Sequence, residues 1–225
     1  NPYEFYGLQA NGVYSTQAEA SEAALTNSSN QAYSAGDVRY VDQNNDGRID
    51  SKDYVSLGSA TPDYFGGFYT NIRYKHFALA AGFSYSKGDE AYNAVRRTLE
   101  SVSSFSNQSV AVTNRWNVEG QVTNIPRASY GDAIGNNNFS SRWIEDASFL
   151  RMKSITLSYN FDKPVWNFFR SGTIYVTGEN LLTATKYLGM DPEFAYSSGS
   201  NATQGFDYAK VMQPKSVKLG INLKF

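Results

Sequence analysis

The sequence predicts an all-β chain whose strands, about five in number, belong to a much larger antiparallel barrel. Three observations carry that prediction. Segments of about ten residues alternate apolar and polar with a period of two, which puts every second side chain on the same face of a strand. The connections between them divide into short turns on one side and long Asn-, Ser- and Gly-rich loops on the other. Of the 225 residues, 18% are charged and 15% aromatic, a mix that suits strands with much half-buried surface.

Residues 1–63 precede the first long strand and are expected to form an extracellular loop region; residues 64–225 are expected to hold the strands and their loops. The first strand is FGGFYTNIRY, residues 65–74, with Phe68, Ile72 and Tyr74 opposite Tyr69, Asn71 and Arg73. After Lys75 and His76 comes FALAAGFSYS, residues 77–86, in which Phe77, Leu79, Ala81, Phe83 and Tyr85 share a face, so the two segments read as a tight hairpin. The third strand, residues 149–161, sets Ile155, Leu157, Tyr159 and Phe161 against Ser154, Thr156, Ser158 and Asn160. Its earlier half carries Arg151 and Lys153 on the apolar parity, and that end is expected to rise clear of apolar surroundings. The fourth strand is expected over residues 173–182. The fifth is SVKLGINLKF, residues 216–225, with Val217, Leu219, Ile221, Leu223 and Phe225 on one face.

If the first two strands meet at a two-residue turn, the third and fourth meet on that same side through residues 162–172. The other side receives everything before residue 65 and the loops near 87–147 and 183–215. Outer-membrane barrels segregate their connections in this way. Ten residues reach roughly 33 Å, and a tilt near 45° brings the height to about 23 Å, close to the apolar band of such a barrel. Aromatic residues gather near strand ends, Tyr74 with Phe77 and Phe161 with Trp166, Phe168 and Phe169, as they do at membrane interfaces. No apolar run approaches the roughly eighteen residues of a helical span. Five strands cannot close a barrel, which needs about eight, so the chain is expected to be the C-terminal portion of a larger one. The start at Asn1, without an initiator Met or a secretory signal, fits a processed product or fragment.

Other composition facts narrow the function. A formal net charge of −1 offers no basic stripe for a nucleic acid. With no cysteine, thiol chemistry and Cys-based metal sites are excluded. The single histidine, His76, falls in a tight turn away from the long loops. The acid pairs Asp89 with Glu90 and Glu145 with Asp146 are adjacent and in a strand point apart. No nucleophile stands beside a base, so the chain is not expected to be an enzyme.

The sharpest local motif is DQNNDGRIDSKD, residues 42–53. Asp42, Asn44, Asp46, Asp50 and Asp53 occupy positions 1, 3, 5, 9 and 12 of a calcium loop, Gly47 the sixth, and Arg48 offers its backbone carbonyl at the seventh. This spacing predicts bound calcium as the cofactor, stiffening a long loop. Asp53 stands where the bidentate Glu is usual, and the preceding DVRYV alternates like a strand, so a lone calcium loop on a β scaffold describes it better than an EF-hand. The other reading is a metal-free Asn/Asp-rich turn.

Several strings, in order, are similar to the C-terminal part of SusC/RagA-type TonB-linked outer-membrane transporters of the Bacteroidetes: GDVRYVDQNNDGRID at 36–50, NRWNVEG at 114–120, SSRWIEDASFLRMKSITLSYNF at 140–161, GENLLTATKYLGMDPE at 178–193 and QPKSVKLGINLKF at 213–225. The resemblance implies a barrel of about 22 strands with a plug, a bacterial outer-membrane location, a SusD-like surface lipoprotein as lid, energy from the TonB complex, and import of oligosaccharides or oligopeptides. Phe225, an aromatic closing the last strand, resembles the assembly signal of outer-membrane barrels. Trp116 and Trp143 are weak candidates for stacking on cargo, or else they pack the loop itself. Arg96 and Arg97, followed by Leu99, read as a solvated helical turn. The rival to this reading is a soluble, calcium-stabilised β-sandwich serving as a glycan-binding module or adhesin.

Overall fold

The structure, a computed structural model, describes residues 3–161, 170–193 and 204–224. It divides into two compact units. The strand unit takes in Pro62–Asp89, Asp146–Phe194 and Val211–Phe225, and the loop unit Asn1–Thr61, Glu90–Glu145 and Ala195–Lys210. The expected division near residue 63 is therefore not one of chain order, because the long connections join the first 61 residues in a unit of their own.

The strand unit is one antiparallel sheet of five strands: β1 (Tyr64–Tyr74), β2 (Phe77–Lys87), β3 (Phe149–Phe161), β4 (Ser171–Thr185) and β5 (Ser216–Lys224). They pair in chain order, β1 to β5. The expected fourth strand is the longest, at 15 residues. Lys75 and His76 make the turn between β1 and β2, Lys75 with a φ of 53°. Phe225 lies outside the described residues, as do Trp166, Phe168 and Phe169.

Register turns the alternation of five separate segments into a single two-faced surface. Ile72, Leu79, Leu157, Val176 and Leu219 lie side by side across the sheet, and Tyr74, Phe77, Tyr159, Ile174 and Ile221 form the next row. These side chains are exposed, from 38% at Leu79 to 80% at Leu219. Phe68 stacks on Phe83 with ring centroids 4.6 Å apart. The other face is polar and bonded to itself. Thr156 and Thr177 share a 2.8 Å hydrogen bond, Thr173 donates to Asn160 at 2.7 Å, and Ser216 and Lys218 donate to Glu179 at 2.9 and 2.6 Å. An apolar face of this extent far exceeds the few hundred Å² that a monomer in water leaves uncovered. A sandwich would cover it with a second sheet, yet the other sheets among the described residues have two or three short strands.

The parity of β3 corrects the expectation for Arg151 and Lys153. Between Met152 and Ser154 the register shifts against both neighbours. Lys153 is the extra residue against β2, and in β4 Asn180 and Leu181 stand opposite it, Asn180 with a φ of 52°. A bulge of this kind reverses which face the following side chains take. Met152 thus falls beside Phe83 and Leu182 on the apolar face, while Arg151 pairs with Ser84 and Thr183 on the polar one. The apolar face continues past the point where a strict period of two would end it.

The loop unit is held by small strand pairs and, among the described residues, three small cores. Glu4–Leu8 pairs with Tyr54–Ser59, Ala10–Val13 with Val38–Tyr40, and Thr26–Asn27 with Arg48–Ile49. One core gathers Tyr14, Tyr33, Val38, Tyr40 and Ile49; a second gathers Phe5, Tyr92, Ala94 and Trp143; the third is formed by Val102, Val112 and Ile125. Thr16 caps the helix Gln17–Ala23 by accepting from the Glu19 amide at 3.2 Å.

The two faces of the sheet respond differently to a charge. In the complete barrel folded into lipid vesicles, Leu157→Arg is expected to cost about 2–4 kcal/mol, whereas Asn222→Arg on the polar face costs under about 1 kcal/mol. Urea titrations of both variants check this; equal losses would contradict the assigned faces.

Candidate functional site

The polar face of the sheet carries a buried charge cluster. Arg151, 3% exposed, pairs with Asp191, donates to Glu193 at 3.0 Å and donates from Nε to Thr183 at 3.1 Å. Lys153 donates to Glu193 at 2.7 Å. Asp191 also accepts from the amides of Glu193 at 2.9 Å and Gln213 at 3.0 Å. Burial works against the charge of Asp191, but the Arg151 guanidinium and these amides outweigh it and hold the carboxyl below its ordinary value. The cluster ties β3 to the connection that returns to β5. Each partner is charged in sequence, but their distance in chain order hides the pairing.

In the loop unit, residues 42–53 form a turn that caps its own amides. Asp42 accepts from Asn45 and Gly47, both at 2.8 Å, Asn44 from Asp46 at 3.0 Å, and Asp46 from Arg48 at 3.0 Å. Gly47 takes a φ of 79°, the left-handed conformation the sixth position requires. The Asn44 side-chain amide holds the Asp46 carboxyl below its ordinary value. Asp50 accepts from Lys52 at 2.8 Å. Asp53 is fully buried, and its two oxygens accept from Gln43 and Asp50, both at 2.9 Å. Among the described residues no three acidic or histidine side chains stand close enough together to hold an ion. As folded, Asp42, Asn44 and Asp46 share one turn, and the Asp53 carboxylate caps two backbone amides.

The two tryptophans differ. Trp143 is completely buried, with the Arg142 guanidinium 4.2 Å and that of Arg96 5.2 Å from its ring centroid, and offers no face to cargo. Trp116 is half-buried; its Nε1 donates to the Ser15 carbonyl at 3.1 Å, and its ring lies so close over Gly36 that a Cβ there would stand 2.5 Å from it. Arg96 and Arg97 do lie on a helix, Ala94–Leu99. The expectation of a solvated turn fails for Arg96, which pairs with Glu145 at 2.5 Å and Glu100 at 3.5 Å.

Sequence reasoning missed the hub of the loop unit, Asp37. It is fully buried and accepts from Arg127 at 2.8 and 3.0 Å, from Asn136 at 3.1 Å and from the Ser34 amide at 2.9 Å. The signal was present: an Asp directly after a glycine inside the GDVRY string, with no loop role assigned to it. The adjacent acids, as expected, turn apart, Glu145 to Arg96 and Asp146 to Lys87 at 3.7 Å.

A long-stranded meander with an exposed apolar face and a hydrogen-bonded polar face is a segment of a membrane β-barrel. Known proteins agree. No family model matches the chain. TonB-dependent receptor P26 of Formosa agariphila is 31% identical over 98% of the chain, and TonB-dependent receptor SusC of Bacteroides thetaiotaomicron is 28% identical over 83%. The structure of the RagAB peptide transporter matches 99% of the chain with a TM-score of 0.74 at 24% identity, and the closed-closed state of the RagAB peptide importer 98% with 0.73 at 23%. The chain belongs to the TonB-dependent receptors. It spans 22% of the length of the Formosa receptor and 17% of SusC.

Three outcomes follow from the site geometry. Arg151→Met strands the buried Asp191 and is expected to cost about 3–5 kcal/mol, with the double variant Arg151→Met/Asp191→Asn costing less than the sum; urea unfolding at neutral pH measures both. Because the Asp191 carboxyl is held below its ordinary value of 3.8, its contribution is complete above that pH and fades as pH falls through the lower folded value. Asp53→Ala abandons two amides at about 1–3 kcal/mol each, and hydrogen exchange at Gln43 and Asp50 is expected to accelerate; unchanged exchange would refute the capping role.

Proposed function

We propose that the complete protein is an outer-membrane importer, driven by the TonB complex and served by a SusD-like surface lipoprotein, that takes up oligosaccharides or oligopeptides and carries out no chemistry on them. The observation that carries this reading is the two-faced sheet, apolar outward and hydrogen-bonded inward, in a chain aligned along nearly its whole length with TonB-dependent receptors. The polar face lines the path or packs the plug, the apolar face meets lipid, and the remaining strands and plug come from the rest of the protein. His76 supports the non-enzymatic reading: it sits in the β1–β2 turn with its ring 5.8 Å from that of Tyr159, a packing contact. Calcium in the 42–53 loop rests on residue spacing alone.

Purification of the complete protein from membranes tests the reading. Heat-modifiable electrophoretic mobility and a co-purifying lipoprotein are expected; a folded monomer in the detergent-free soluble fraction would overturn it in favour of a soluble binding module. Calcium titration by calorimetry decides the loop: a signal abolished by both Asp42→Ala and Asp46→Ala supports the ion, and identical traces for all three proteins reject it.

A further inference from the structure

We propose that the turn end of the sheet binds anionic phospholipid, with the headgroup phosphate at Lys75 and Arg170 and the acyl chains laid along the apolar face. The first observation is where charge falls along the strands. On the turn side of Glu179 the described residues of the strand unit hold Arg73, Lys75, Arg170, Lys218 and Lys224 and no carboxylate. Lys218 is matched by Glu179 at 2.6 Å. The other four are exposed, and none of them has an ion-pair partner among the described residues. The remaining described carboxylates of the unit, Asp63, Asp89, Asp146, Asp191 and Glu193, belong to its other end, toward the long connections. Outside the described residues the β3–β4 connection adds one acid and one base, Asp162 and Lys163, so the balance of this end stays positive.

The second observation is the side on which these groups stand. Lys75 places its ammonium 5.4 Å from the ring centroid of Tyr74, and the Tyr159 ring that packs on His76 also meets Phe77 at 5.1 Å. Tyr74, Phe77 and Tyr159 belong to the apolar face, and Phe161 lies over Gly172 in the row beyond them. Arg170 takes the parity of Gly172 and Ile174. Cations thus border the last apolar rows, where rings and basic side chains suit the glycerol and phosphate region of a membrane. The contact with Tyr74 holds the Lys75 ammonium without using its N–H donors, which stay free for phosphate oxygens. Arg73 and Lys224 take the polar parity, paired with Ala78 and Ser171, and add to the positive potential from behind. An acidic segment of the rest of the protein packed on the polar face would reach those two but not Lys75. A zwitterionic choline lipid carries the same phosphate beside an ammonium that this end repels, so the preference is for a headgroup of net negative charge. The inference rests on the sheet standing in a membrane and not on what the protein imports.

The test is native mass spectrometry of the complete receptor in detergent with equal amounts of phosphatidylglycerol and phosphatidylcholine of the same acyl chains. Phosphatidylglycerol is expected to be retained about tenfold over phosphatidylcholine or more. Lys75→Asn, which suits the left-handed turn, and Arg170→Gln should each cut that preference to about a fifth, and the double variant should leave none. Lys186→Gln, which removes an exposed cation just past the other end of β4, should leave it unchanged. Glycerol phosphate, which has the charge without the acyl chains, should not displace the lipid. Heat-modifiable mobility confirms folding, and in the unaltered receptor the preference should fall as sodium chloride is raised, which tests the charge even where a variant does not fold. Equal retention of the two lipids, a preference insensitive to salt or unmoved in the folded double variant, an equal loss in Lys186→Gln, or displacement by glycerol phosphate would each overturn the proposal. Retention of neither lipid would overturn it together with the lipid-facing sheet.

Discussion

The structure depends on one constraint: within an apolar medium every backbone N–H and C=O must be paired, so strands there must be long, continuous and held in register. The five strands meet it with the simplest topology, each pairing with its neighbour in sequence. Register then does more than satisfy hydrogen bonds. A slip of one residue anywhere would move an entire strand's apolar set to the polar face, and rows such as Ile72, Leu79, Leu157, Val176 and Leu219 exist because no such slip occurs.

The bulge at Lys153 is where alternation and charge are reconciled. A strand of unbroken period would put Arg151 and Lys153 on the apolar side. The extra residue reverses the parity, sends Met152 outward and brings Arg151 against Asp191 and Glu193. Burial of Arg151 and Asp191 is tolerated because each has a partner and Asp191 has backbone donors besides. The same arrangement anchors the connection between β4 and β5. Local backbone irregularity therefore serves both the outer face and the inner one.

Much of the strand unit was legible in sequence, because a period of two is a local property and the loop asymmetry can be read from segment spacing alone. Residues 216–225 alternate without a slip and residues 77–86 keep their large apolar side chains on one parity, and both strands lie where that period puts them. The bulge was not legible: a single extra residue is visible only against the neighbouring strands. The loop unit was harder still. Asp37 and Arg127, or Arg96 and Glu145, are far apart in the chain and carry no periodic signal that would join them. Trp143 as a loop tryptophan fits either cargo stacking or packing, and only its complete burial between two arginines separates the two. The spacing of residues 42–53 is shared by a calcium loop and a self-capped turn, since both use carboxylates and a left-handed glycine, and the burial of Asp53 depends on folding far beyond the motif.

The central claim is that the two faces of this sheet meet different solvents, lipid on one side and water or protein on the other. Single spin labels placed in turn along residues 216–224 of the complete, membrane-embedded protein measure it directly, by relaxation with dissolved oxygen and with a water-soluble nickel chelate. The account predicts that oxygen accessibility peaks at positions 217, 219, 221 and 223 and falls at 216, 218, 220, 222 and 224. Accessibility without this period of two, or with the opposite phase, would contradict it.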